Sequence, residues 1–224
     1  MSETITLAVD AATYAGSVAV LRGAQVLHEV QVVMRGATEE RLMPAIVDAM
    51  ARAEVGVPEL AGVACGAGPG SFTSLRIAAA LAKGIAASRA IPFFVASSLT
   101  LVVAADPTLG VGDFLVQLDA MRGDVYVQRV RRGADGRIAE LSRPELMSAG
   151  AASELAARES LLTVGNAGAM VERAPHARGF AHLIGSLATQ VSLASWEPMY
   201  GRLAEAQVQW ERRHGKALVS PGTP

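Results

Sequence analysis

The sequence predicts a mixed α/β protein built as two related lobes of about a hundred residues each. Three observations lead there. The 224-residue chain is 51% hydrophobic but only 4% aromatic, so its interior is filled by Ala, Val, Leu, Ile and Met, and a single core stops growing near roughly 250 residues. Its first hundred residues run from strands of period two into a strand, helix, strand unit. From about residue 105 a shorter version of the same alternation begins again.

Taken in order, residues 4–10 (TITLAVD) alternate apolar side chains up to Asp10. Residues 16–21 (GSVAVL) and 25–33 (QVLHEVQVV) are rich in β-formers, with Arg22-Gly23-Ala24 as the turn between them, so the three segments read as a meander. Residues 38–54 change period. Leu42, Met43, Ile46, Val47 and Met50 share one helical face, Glu39, Arg41, Asp48 and Arg52 lie largely elsewhere, and Pro44 marks either the start of the regular helix or a kink in it. A strand at 61–66, a Gly/Pro loop at 66–71, a helix at 72–89 and a strand at 92–96 form a βαβ unit with a parallel, right-handed connection. Meander, helix, strand, helix, strand is the order of a ribonuclease-H-like lobe.

In the second half, 113–119 and 124–130 read as strands across Ala120-Met121-Arg122-Gly123, and Gly133-Ala134-Asp135-Gly136 is a turn before 137–141. A helix at 148–158, a strand at 161–165 and a helix at 179–194 complete the smaller lobe. The expected division is 1–104 for the N-terminal lobe, 105–219 for the C-terminal lobe with a returning tail, and 220–224 as a disordered tail.

Charge and composition exclude several classes of function. The formal net charge is −1 and basic residues adjoin only as Arg131-Arg132 and Arg212-Arg213, without the concentrated patch of a nucleic-acid reader. Met1-Ser2-Glu3-Thr4 does not open a signal peptide, and no stretch offers about 18 continuous apolar residues, so the expected location is the cytoplasm, without a membrane span. The single cysteine, Cys65, excludes an internal disulfide and reads as a small buried hydrophobe.

The densest motif is Gly66-Ala67-Gly68-Pro69-Gly70-Ser71-Phe72-Thr73-Ser74-Leu75-Arg76, a glycine-rich loop entering a helix. Such a loop can present N–H groups to an anion. It lacks the lysine of a P-loop and the third glycine of a dinucleotide fingerprint, and its plainer role is a tight strand-to-helix turn with Ser71 or Thr73 as N-cap.

The string GPGSFTSLRIAAALAKGIA nevertheless resembles the GPGSFTGLRIG-type segment of the TsaB (YeaZ) family. LAVDAATYAGSVAV resembles that family's opening strand pair, and LDAMRGDVYVQRV its D-A-R-x-x-E-V-Y segment. Pro198-x-Tyr200-x-Arg202 with Glu205-Ala206 resembles its P-x-Y-x-R stretch. Together these span nearly the whole chain. Ser74 stands where the family commonly has Gly, and Thr38-Glu39 where many members have a histidine-serine pair.

The resemblance implies an actin-like ATPase-superfamily architecture and a subunit that binds and supports TsaD, the threonylcarbamoyltransferase acting beside the tRNA anticodon. TsaE is a further ATPase of that complex, and tRNA is reached through the complex. The implied partner interface is the helix pair 38–54 and 72–89, carried by Leu42, Met43, Ile46, Val47 and Met50 together with Ala78, Ala79, Ala82 and Ala86. Gly68, Pro69, Gly70, Ser71, Thr73 and Arg76 form the loop that supports it. Ala80, Gly84 and Ala87 add to the low bulk of the second helix, and the same alanines could equally pack under the chain's own sheet. A homodimer through the same helices is a further expectation.

No catalytic, cofactor or metal residue is assigned. An actin-like kinase needs an Asp and glycines in its first hairpin plus a second Asp. Asp10 is present, but Ala11-Ala12-Thr13-Tyr14 has no glycine. Asp119 is either the second carboxylate or the anchor of its turn. An ATP-dependent small-molecule kinase or carbamoyl-transfer enzyme on the same fold stands as the alternative. His28, His176, His182 and His214 hold no i, i+4 pair of the kind that binds metal in TsaD. Ser71, Asp119 and His182 lack a G-x-S-x-G elbow. Trp196, Tyr200 and Trp210 form a sparse aromatic cluster that either stacks on a base or, the plainer role, anchors a terminal segment onto the fold.

Overall fold

The computed structural model describes residues 4–34, 40–201 and 213–215. The first sheet is built from β1 (Ile5–Asp10), β2 (Ala15–Arg22), β3 (Gln25–Val33), β4 (Leu60–Gly66) and β5 (Phe93–Ala96), with α1 (Leu42–Arg52) and α2 (Phe72–Arg89) in its connections. β1, β2 and β3 pair antiparallel, and β4 and β5 extend the sheet in parallel on the other side of β1. After α3 (Ser98–Ala105) the second sheet forms from β6 (Gly112–Asp119), β7 (Asp124–Arg132), β8 (Ile138–Glu140), β9 (Glu145–Ser148), β10 (Leu162–Gly165) and β11 (Val171–Glu172), with α4 (Ala149–Glu159) between β9 and β10. Again a hairpin, β6–β7, carries parallel additions, β10 and β11, on one side. The chain then returns through α5 (Phe180–Leu183) and adds β12 (Thr189–Gln190) antiparallel to β5, on the first sheet. This repeated plan is the actin-like ATPase-superfamily architecture.

Both faces of the first sheet are covered, which explains the near-continuous apolar run of β1. On one face Leu7, Val9, Val18 and Val20 pack with Leu42, Ile46, Ala78 and Ala82 of the two helices. On the other, Ala8, Ala19 and Leu21 share a core with α3 and with Phe114, Val116 and Leu118 of the second sheet. α4 closes the outer face of the second sheet over Leu115, Val125 and Val127.

All eight residues of α3 are buried, and this helix was not foreseen from the sequence. A helix apolar all round has no 3.6-residue stripe to read. It is sandwiched between the two sheets, where each Leu or Val removed from water contributes about 1.5–3 kcal/mol. The expected helix at 179–194 is corrected to the four residues of α5, after which Gly185 adopts a left-handed φ of 85° and the chain turns into β12. β9 was also not foreseen. α1 starts at Leu42, its first turn closed by the Glu40 carboxylate, which accepts from Met43 N–H at 3.0 Å. Thr38, Glu39, Arg202, Glu205, Ala206, Trp210 and the 220–224 tail lie outside the described residues.

Candidate functional site

The C-terminal ends of β1 and β4 lie side by side, so the first hairpin and the glycine loop meet at Asp10. Asp10 is fully buried; its carboxylate accepts from Ser98 Oγ at 2.6 Å and from the Ala12 N–H at 3.1 Å. The glycines seal it in. A Cβ on Gly66 would overlap the Asp10 carboxylate, and one on Gly70 would overlap the Ala12 carbonyl. Ser71 N–H donates to Ala12 O at 2.7 Å, and Gly68 N–H donates to Ser98 Oγ at 3.1 Å. The loop therefore uses its missing side chains to lie against the hairpin, and the Asp10 carboxylate faces protein on every side.

Ser71 occupies the N-cap position of α2, but its hydroxyl makes no capping bond; it meets Ser74 Oγ at 3.1 Å. The buried Ser74 thus fills the loop where the family commonly has glycine. Thr73 is exposed, and Arg76 lies 5.3 Å from the centre of the Phe72 ring.

Burial pushes the Asp10 carboxyl up, with the Ser98 and Ala12 hydrogen bonds pulling the other way. A carboxyl raised in the folded state contributes stability that is present below its unfolded value and lost as pH rises through the folded one. Asp10→Asn should therefore have a higher Tm than wild type at pH 7–8, with the gap narrowing toward pH 4. A wild-type Tm that exceeds the variant's by more at pH 8 than at pH 4 would overturn this.

The helix pair has two faces, and most of the expected interface residues lie on the inner one. Leu42, Ile46, Met50, Ala78, Ala79, Ala82 and Ala86 are buried in the chain's own core. That is a correction with a simple cause: the apolar stripe of an amphipathic helix turns first to its own sheet. Of the nine, Met43 and Val47 remain outside, 39% and 57% exposed. Pro44 and Ala51 lie exposed beside them, and Ala80, Gly84 and Ala87 are exposed on α2. Among the described residues, a Cβ added at Gly84 would meet nothing within 4 Å.

The remaining candidates have structural partners. Asp119 Oδ1 accepts from Met121 N–H at 2.8 Å, anchoring a turn in which Met121 and Arg122 take φ of 66° and 60°. Cys65 is buried, and that burial pushes its thiol up, with the Asp10 carboxyl adding to the effect. His28 is half-buried on the edge strand β3. His176 is buried, and its Nδ1 accepts from the Arg178 N–H at 3.1 Å. Exposed His182 rims a cleft of about 520 Å³ beside Glu29, Asp106 and Arg178. The charges there already have partners, Arg178 with Glu29 at 2.9 Å and Asp106 with Arg173. Among the described residues there is no group of three or more His, Cys, Asp or Glu that could hold a metal ion, and no helix is long and apolar enough to cross a membrane.

Residues 33–166 match the protein family described as TsaD, tRNA N6-adenosine threonylcarbamoyltransferase. That span is more than half of the chain. Among individual relatives, the tRNA threonylcarbamoyladenosine biosynthesis protein TsaB of Haemophilus influenzae is 34% identical over 127 residues, 56% of this chain and 53% of that protein. The TsaB proteins of Escherichia coli and Bacillus subtilis are 32% and 33% identical over 58% and 54% of this chain and 56% and 52% of their own lengths. The chain belongs to the TsaB/YeaZ family.

The matched segments span about half the length of these curated relatives. A Pseudomonas aeruginosa crystal structure of an uncharacterized protein with similarity to peptidase YEAZ superposes with a TM-score of 0.73 at 24% identity, covering 89% of this chain and all of that one. A second, titled YeaZ from Pseudomonas aeruginosa, gives 0.67 at 23% over 81% and 91%. Both support the TsaB/YeaZ fold along most of the chain. Val47 and Gly84 are both among the residues that the sequence offers for the helix pair, whereas the sealing role of Gly66 and Gly70 over Asp10 is not.

Proposed function

We propose that this chain is a non-catalytic partner subunit in the cytoplasm, docking on a TsaD-type threonylcarbamoyltransferase through the outer face of α1 and α2. It supports that enzyme in forming threonylcarbamoyladenosine beside the tRNA anticodon. Gly84 carries this reading. A glycine inside an exposed helix costs about 1 kcal/mol relative to alanine, and among the described residues nothing needs the space. The requirement is external: close approach of another helix, with Met43, Val47 and Ala51 completing the contact. The rival, an ATP-dependent small-molecule kinase or carbamoyl-transfer enzyme, needs a carboxylate that Mg-ATP can reach, and Asp10 is enclosed. A TsaE-type ATPase and tRNA join through the partner, and in the free chain the same face serves a homodimer.

Co-expression with the TsaD-type subunit of the same organism, followed by size-exclusion chromatography with light scattering, tests this. Val47→Arg should weaken the heteromer at least tenfold while leaving the chain folded. Gly84→Ala should raise the free chain's Tm by roughly 2–4 °C and weaken the complex, opposite signs that a merely structural glycine would not give. Charges at Ala79 or Ala82 are unsuitable, because both side chains are buried and the fold itself would fail. No complex, together with Mg-ATP turnover by the chain alone, would replace this reading with the kinase.

A further inference from the structure

The segment 196–201 follows α2 from its middle to its first residue and then crosses to the second sheet. Lys83 Nζ donates to the Trp196 carbonyl at 2.9 Å and sits 6.0 Å from the centre of its ring, whose edge packs on Phe93 at 5.1 Å. Met199 N–H donates to Ala67 O at 2.7 Å, and Gly68 lies so close to the Met199 carbonyl that a Cβ there would overlap it. The Tyr200 ring lies on Phe72, the first residue of α2, at 4.6 Å between centroids, and its hydroxyl donates to Glu197 at 3.0 Å. Gly201, at φ 71°, then places its Cα against the ring of Tyr126, where any side chain would overlap. Tyr126 is buried near the start of β7, paired with Leu118 on one side and Leu146 on the other.

We infer that this segment is a mechanical link, by which the position of α2 sets the packing of β7 in the other lobe. The two ends of the link are built differently. Along α2 it is held by the Lys83 charge and by ring contacts at Lys83 and Phe72, contacts that follow the helix if the helix moves, and one backbone bond ties Met199 to Ala67 in the loop just before the helix. At Tyr126 it is held by the absence of a side chain on Gly201 and by the Tyr126 hydroxyl, which donates to the Tyr200 carbonyl at 3.5 Å, a fit with little tolerance because the ring is rigid and its root is buried in β7. A shift of α2 is thus carried along the segment and delivered to one residue of β7. The link deepens the docking proposal, since α2 is the helix that would meet the partner, but the coupling itself is a property of the free chain.

Hydrogen exchange on the full free chain reads it directly. Lys83→Ala, in lobe one, should raise exchange of β7 amides at least threefold. In a Gly201→Ala background, where the link is already displaced from Tyr126, the same substitution should leave β7 unchanged, a non-additive double-mutant cycle. Tyr200→Ala is the alternative background if Gly201→Ala does not fold, and Tyr200→Phe, which keeps the ring on Phe72, should behave as wild type. Effects on β7 that add, or a β7 unmoved by Lys83→Ala, would overturn the link. With the TsaD-type subunit bound, β7 should be protected in wild type and not in Gly201→Ala, while α2 is protected in both. Failure of the complex to form counts against the docking proposal alone, because the free-chain cycle decides the coupling without it.

Discussion

Replacing Gly66 with alanine should lower stability by about 3 kcal/mol and Tm by roughly 6–12 °C. The added Cβ falls on the Asp10 carboxylate and within contact of Ser98 Oγ. Neither neighbour can retreat. Ser98 begins a helix buried on all sides, its hydroxyl also accepting the Gly68 N–H, and Asp10 ends a central strand held by Ser17 on one side of the sheet. Relief requires β4 to move or the Asp10–Ser98 bond to open, and the second choice strands a buried polar group, which costs about 1–3 kcal/mol by itself. Gly110→Ala is the control, because a Cβ there meets nothing within 4 Å. Urea and thermal denaturation of both variants measure the difference, and a Gly66→Ala protein as stable as Gly110→Ala would show that the loop is looser than described.

The second large effect lies in acid. His176 sits where the chain leaves the second sheet and returns to the first, its neighbour Ala177 N–H donating to Ser17 Oγ on β2 at 2.9 Å. Burial, with Arg178 adding and Glu29 opposing, pushes the His176 imidazole down to about 4. The sign follows from linkage. The unfolded chain takes up a proton near pH 6.5 while the folded chain resists until about pH 4, so the contribution is intact above 6.5 and is lost as pH falls to 4. At 1.36 kcal/mol per unit this is roughly 3 kcal/mol. His176→Asn, which keeps an acceptor for the Arg178 N–H, should flatten that acid limb. Asp10 titrates in both proteins and cancels in the comparison, so the loss of the His176 contribution in wild type alone should make the variant relatively more stable as pH drops. Equal slopes in the two proteins between pH 6.5 and 4 would refute the assignment.

What could be read in advance followed the periods that burial leaves in a sequence. Strands β1 to β4 and helix α2 were legible because each has turn residues at its ends and a recognisable alternation or stripe between them. α3 was not, because a helix enclosed on all sides looks like any short apolar run. The apolar face of α1 was found correctly as a stripe, yet a stripe does not say which of two surfaces it meets. Leu42, Ile46 and Met50 turn to the sheet, and the residues left outside, Met43 and Val47, sit at its margin. The glycine loop was legible as a turn and as a family string. Its role as a seal over Asp10 depends on β1 and β4 ending side by side, with Val9 opposite Cys65, a pairing 56 positions apart that no local pattern encodes.

The position of β12 has a bearing on how the protein is made. The last strand of the first sheet begins at Thr189, 93 residues after β5 ends at Ala96. A ribosome adding about 5–20 residues per second needs roughly 5–20 s to cover that gap. Throughout it the nascent first sheet carries β5 as a bare edge, with Phe93 lacking the Trp196 ring that later packs on it. Synthesis therefore passes through a stage in which the first sheet holds an unfinished border, closed only when the segment from Thr189 to Trp196 has emerged.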